Sequence, residues 1–111
     1  MMKASTVSAV ISRSAVPILP GAQELAEAGN VSGGTSRNIE DLGDAVSLED
    51  GVTDVDFVLL ADAQTSGGML ISVPEDRAGA LVKSLIANET LYSEVIGEVV
   101  TGDAGTVVVR K

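Results

Sequence analysis

The stretch Ala61–Val73, ADAQTSGGMLISV, decides how this chain is read. A polar loop with two adjacent glycines runs directly into an apolar, strand-like segment. Met69–Val73 is apolar on both faces except at Ser72, a pattern that predicts a strand central in a sheet. Asp62–Gly68 brings one carboxylate, one amide, two hydroxyls and two glycines. Gly67 and Gly68 allow close backbone approach to a ligand, and successive N–H groups in such a loop can form an anion nest. The same residues also suit a plain turn whose hydroxyls satisfy nearby backbone groups. Spacing leaves both readings open.

Downstream, Pro74-Glu75-Asp76 opens a helix with acids at its positive end. Ala78, Leu81, Val82 and Leu85 follow i, i+3, i+4, i+7 spacing and give it a core-facing stripe fading near Asn88. Glu94–Thr101 reads as a strand in which Gly97 marks a bulge or a close backbone approach. Gly102–Gly105 reads as a hairpin turn, with Thr106–Arg110 returning antiparallel. Upstream, Val7–Ile11 is a short β-branched strand. A short helix is expected from about Pro20 to Ala28, with Gly29 at its left-handed cap. Ser32–Asn38, SGGTSRN, is a loop by composition. Ile39–Gly51 has sparse apolar residues and is expected to be irregular or a short helical turn. Val55–Ala61 is too short for periodicity to separate helix from strand. Strand, helix, strand, strand is an α+β or split βαβ pattern.

The 111 residues fit one domain. Its core must be aliphatic, because there is one Phe, one Tyr and no Trp. With neither Cys nor His, thiolate chemistry, disulfides and the commonest general base are excluded. A formal net charge of −9 disfavours nucleic acid and anionic membrane surfaces as partners. No apolar run reaches the ~20 residues that span a bilayer, and a cytoplasmic setting is expected. Glu40, Asp41, Asp44, Glu49, Asp50, Asp54 and Asp56 lack EF-hand spacing and read as a solvated acidic face; no metal site is expected. Gly33–Asn38 carries Arg37 as a possible anion fork, but no Gly-Lys-Ser/Thr makes it a Walker loop.

Four stretches, taken together and in order, resemble selenophosphate synthetase (selenide, water dikinase): Val16–Gly29 (VPILPGAQELAEAG), Gly33–Asn38 (GGTSRN), DAQTSGGMLISVP from Asp62, and Val95–Val109 (VIGEVVTGDAGTVVV). Ala63 stands where the family usually has Pro, and Met69 where it usually has Leu. The resemblance implies a three-layer α/β/α domain with a mixed, mostly antiparallel sheet, like the C-terminal domain of aminoimidazole ribonucleotide synthetase. It implies the C-terminal portion of an enzyme that converts ATP, selenide and water to selenophosphate, AMP and phosphate with Mg²⁺. The family's reactive Cys or selenocysteine, its nearby Lys and most metal-binding Asp residues belong to an N-terminal ATP-binding domain, the implied partner. The opening MMKAS looks like an internal start. This segment alone is then expected to carry no catalytic residue, to hold neither ATP nor Mg²⁺ unaided, and to be inactive. The residues expected to face the cleft are Asp62, Gln64, Thr65, Ser66, Gly67, Gly68, Gly33, Gly34, Thr35, Arg37 and Asn38. The rival readings are a stand-alone binding domain that forms homo-oligomers, and a piece of a sister enzyme such as thiamine-monophosphate kinase.

Overall fold

The computed structural model describes residues 1–111. A four-residue helical turn, α1 (Met2–Ser5), leads through Thr6 in the left-handed region to strand β1 (Ser8–Ser12). Helix α2 (Ala22–Glu27) follows, and Gly29 beyond it has φ +79°, the conformation expected at a glycine cap. Helix α3 (Gly33–Leu42) runs through a 3-10 turn at Gly43–Ala45 into strand β2 (Val46–Leu48). Helices α4 (Asp54–Leu60) and α5 (Glu75–Ala87) precede strands β3 (Gly97–Val100) and β4 (Val107–Arg110).

The fold is α+β with a mixed four-stranded sheet in the order β2-β4-β1-β3. Two of its three pairings are parallel, β1 with β4 and β2 with β4, and only β1 with β3 is antiparallel. The sheet is therefore not mostly antiparallel. The reason lies at Gly102–Gly105, which does not close a hairpin. It carries the chain past the end of β1, so β1 lies between β3 and β4. Ser8, almost fully buried, fixes this crossing: its Oγ donates to Asp103 O at 2.7 Å and lies 2.7 Å from Thr106 Oγ1. Gly105 N donates to Val7 O at 2.9 Å, and Ala9 N to Thr106 O at 3.1 Å. A Cβ on Gly102 would press within 2.7 Å of Ser8 Oγ, and Gly105 has φ +93°. Both glycines serve this crossing.

At Gly97 the close approach is real: a Cβ there would land on the Val10 carbonyl oxygen of the neighbouring strand. In α5 the expected stripe of Ala78, Leu81, Val82 and Leu85 is half-buried while the flanking positions are exposed. Val55–Ala61 resolves as helix because Thr53 and Asp56 form a reciprocal capping box at its start.

Two further readings fail, and one strand was missed. Ser32–Asn38 is not a loop but the cap and first turns of α3, since the Ser32 side chain accepts Thr35 N–H and nucleates the helix despite two glycines. The strand β2 went unread because three residues carry no usable period. Met69–Val73 belongs to no helix and joins no ladder, and Met69 is 86% exposed. The central places of the sheet are already filled by β1 and β4.

Burial is correspondingly thin. Only Ala61 and Val109 among the apolar residues are fully buried. The accessible surface is 7823 Å². A compact monomer of 11.2 kDa would expose roughly 5,700 Å². The radius of gyration, 14.6 Å, likewise exceeds the ~13 Å of a compact domain of this length.

Candidate functional site

The two glycine-bearing segments meet at the N-terminus of α3. Thr35 joins them. It is 0% exposed, and its hydroxyl uses all of its bonding capacity. Thr35 Oγ1 donates to Asp62 Oδ1 at 2.8 Å and accepts from Ala63 N–H at 3.2 Å. Its proton is thereby committed, so the 3.0 Å contact with Ser32 Oγ is a donation from Ser32. Ser32 Oγ in turn accepts Thr35 N–H at 3.2 Å. Three turns of sequence chemistry are locked in one cluster: a helix cap, a buried hydroxyl and the start of the Asp62–Gly68 loop.

One turn along the helix, Asn38 Nδ2 donates to Ala61 O at 2.9 Å, which terminates α4 against α3. Gly34 permits the two segments to touch, because a Cβ there would lie 2.7 Å from Ala63 Cβ. Arg37 folds its guanidinium back toward Gly33, 3.7 Å from where a Cβ on that glycine would sit. This places a cation beside the positive end of α3, whose first turn carries no acid. In a chain of net charge −9 this end is suited to a negatively charged group. Beside it, Asn38, Asp41, Leu42, Leu60, Ala61 and Asp62 line a shallow open groove of about 370 Å³.

Of the residues expected to face a cleft, Gly33, Gly34, Thr35, Arg37, Asn38 and Asp62 are brought together here. Gln64, Thr65, Ser66, Gly67 and Gly68 are exposed. Within that loop the Gln64 side chain lies over Gly67, where a Cβ would come within 2.9 Å of Oε1. Thr35 is a buried linker rather than a surface group. Ser32, Asp41, Leu42 and Leu60 were not foreseen. Ser32 three residues before Thr35 is a helix-start signal, which the two intervening glycines obscured.

Asp56 also departs from the picture of a uniformly solvated acidic face. Its Oδ2 accepts Thr53 N–H at 2.9 Å and the Thr53 hydroxyl at 2.8 Å, while Oδ1 lies 2.7 Å from Arg13 Nε. The Thr53 backbone N–H does most to hold its carboxyl below the ordinary value of 3.8. The Thr53 hydroxyl and Arg13 act in the same direction, and partial burial opposes them. Through this contact α4, which ends at the site, is tied to the turn after β1. No three carboxylates of the chain converge as a metal centre would require.

The chain matches the family described as AIR synthase related protein, C-terminal domain, over residues 1–110. It belongs to that family. Among curated proteins it is similar to the selenide, water dikinase of Rhizobium meliloti (strain 1021), with 38% identity over 104 residues, 94% of this chain and 30% of that protein. The selenide, water dikinase of Clostridioides difficile (strain 630) is 39% identical over 100 residues, 90% of this chain and 29% of that protein. Selenide, water dikinase 2 of Peptoclostridium acidaminophilum is 35% identical over 109 residues, 98% and 31% respectively. This AIR synthase related C-terminal domain therefore spans about 30% of the length of the curated relatives it matches. No helix in it is long and apolar enough to cross a membrane.

Proposed function

We propose that this domain is the C-terminal wall of a selenide, water dikinase cleft and that the α3 N-terminus, with Arg37 and Asp62, is the face it turns toward an N-terminal ATP-binding domain. One observation carries the reading: Thr35 draws together the two segments, distant in sequence, that were expected to face the cleft. Phosphoryl transfer rests on positioning and neutralising charge. The Arg37 guanidinium and the free N–H groups of the first turn of α3 fit a phosphate oxygen as donors. A divalent cation is another matter, since the chain's carboxylates do not converge. Mg²⁺ then falls to the N-terminal partner domain. The whole reaction, ATP with selenide and water to selenophosphate, AMP and phosphate, belongs to the assembled protein, and this chain alone is inactive. A chain without cysteine whose helices are all too short to span a bilayer fits a cytoplasmic setting.

The test replaces the C-terminal 29% of the Clostridioides difficile relative with this chain. The chimera is expected to form AMP from ATP in a selenide-dependent way. Arg37→Ala and Asp62→Ala each lower kcat/KM about tenfold or more, a loss of ~1.4 kcal/mol, while Ser47→Ala on the far edge strand β2 changes nothing. Turnover by the isolated chain, or a chimera indifferent to Arg37 and Asp62, defeats the proposal.

A second feature supports self-association of the isolated chain. Its surface exceeds that of a compact monomer by about 2,100 Å². Part of this excess is the apolar run from Met69 to Val73, and patches of this kind favour association.

A further inference from the structure

Resting on the reading that Asp62 faces the cleft, we propose that Arg13, acting through Asp56 and α4, is a positioning residue for Asp62.

Asp62 stands where local forces do not favour it. It follows Ala61, the C-cap of α4, and the negative end of a helix repels a carboxylate. Its place is kept by bonds instead. Thr35 Oγ1 donates to Asp62 Oδ1 at 2.8 Å, and Asn38 Nδ2 holds the preceding carbonyl, Ala61 O, at 2.9 Å. Both act on the C-terminal end of α4. With seven residues, α4 is about 10 Å long and well below the ~12–15 residues at which a helix stands by itself. It keeps its line only if its other end is fixed too.

Arg13 fixes that end. It directly follows Ser12, the last residue of β1, a strand paired on both sides with β3 and β4. Arg13 Nε lies 2.7 Å from Asp56 Oδ1, and the two side chains are only 14% and 19% exposed. The other ion pair, Arg110 with Glu98, is longer at 3.8 Å and more than half exposed. Arg13 Nε is buried, and no acceptor other than the Asp56 carboxylate is in reach. Removing that charge would leave a largely buried guanidinium without a counter-ion. Asp56 Oδ2 meanwhile closes the capping box with Thr53. One carboxylate thus starts the helix with one oxygen and ties it to the sheet with the other. A continuous series runs from β1 through Arg13, Asp56 and α4 to Ala61 and Asp62. Neither Arg13 nor Asp56 lines the groove, so an effect on turnover must pass through another residue. Such effects are large, because a misplacement of ~1 Å at a reacting group costs on the order of 10²-fold in rate.

The chimera with the Clostridioides difficile relative tests this by double-mutant comparison. Arg13→Gln and Asp56→Asn should each lower kcat about fivefold or more, and together no further than either alone. Asparagine keeps an oxygen for the Thr53 N–H, so the cap survives. Arg13→Lys, which keeps the positive charge, should recover most of the activity. With Asp62 already replaced by alanine, Arg13→Gln should cost nothing more, since no carboxylate is left to place. Amide exchange on the 111-residue chain gives a readout independent of turnover. There Arg13→Gln should speed exchange of Ala63 N–H, which is bonded to Thr35 Oγ1, about tenfold while the β4 amides keep their rates. If Arg13→Gln keeps the chimera from folding, this exchange ratio decides. An equal loss from Arg13→Gln with and without Asp62, or an equal acceleration of all amides, makes Arg13 a stabilising residue alone. That result overturns the inference and leaves the cleft reading standing. An inactive chimera, or one indifferent to Asp62→Ala, overturns both.

Discussion

Replacing Thr35 by valine keeps the size and branching of the side chain and removes its hydroxyl. Thr35 is fully buried, and the hydroxyl makes three contacts: to Asp62 Oδ1, from Ala63 N–H and from Ser32 Oγ. The bond to the carboxylate is charge-assisted and worth ~1.5–3 kcal/mol, the two neutral ones ~0.5–1.5 kcal/mol each. Asp62 is exposed, so water recovers much of what its carboxylate loses. Ser32 Oγ keeps its bond from Thr35 N–H. The lasting penalty falls on Ala63 N–H, left facing a methyl group. A net cost of about 2–3 kcal/mol follows, equivalent to a melting temperature lower by about 8–12 °C in a domain of this length. Thr35→Ser isolates the cause. It retains every hydroxyl contact and loses one methyl, for about 1 kcal/mol. Thermal melts followed by far-UV circular dichroism compare the two. If the valine variant melts within about 2 °C of the parent, or if serine is as damaging as valine, Thr35 is ordinary packing and the junction between the two segments does not rest on its hydroxyl.

Gly34→Ala would normally stabilise a helix by ~1 kcal/mol, but here the new Cβ meets Ala63 Cβ at 2.7 Å. Net destabilisation of about 1–3 kcal/mol in urea titration is expected, and Ala63→Gly in the same chain should restore the lost stability. Gly97→Ala sets a methyl on the Val10 carbonyl oxygen, where backbone cannot yield, so the β1–β3 pairing and with it the cooperative melt should be lost. Asp56 is held below its ordinary value in the folded state, so its stabilisation is complete above the unfolded carboxylate pKa of about 4 and declines as pH falls through the folded value. Urea midpoints at neutral and at strongly acidic pH should fall less steeply for Asp56→Asn than for the parent; identical slopes would refute the Arg13–Asp56–Thr53 linkage.

Much of this fold was legible because local chemistry agreed with the final packing. The α5 stripe is set by spacing alone, and its four apolar positions are the half-covered ones. Gly29 adopts the left-handed angle that only glycine takes easily. Gly97 signalled a close strand contact because no other residue leaves room there. The site was legible in composition but not in geometry. Gly33, Gly34, Thr35, Arg37, Asn38 and Asp62, all expected to face a cleft, lie together in the fold, yet the first five read as loop. Two poor helix formers outweighed a cap whose evidence was one serine. Thr53 and Asp56 spell a capping box in sequence, and it was hidden among the other acids.

The misreadings share one cause, which is that an apolar pattern records a need for burial and not the element that meets it. Val107–Val109 and Met69–Val73 are equally apolar runs, and both read as strands. Only the first reached the sheet, because the turn at Gly102–Gly105 is fastened to β1 by Ser8 and delivers β4 beside it. β4 then pairs on both sides, with β1 and β2. That choice consumes the interior of the sheet and leaves only the outer edges of β2 and β3 for any further strand. The residue-by-residue propensities of the two runs cannot express such competition, since its outcome depends on a side chain some 95 residues away from the turn it holds. The same logic makes the exposed run informative: a segment with strand chemistry and no ladder, in a fold that leaves the outer edges of β2 and β3 unpaired, marks contacts that this domain has not made within itself.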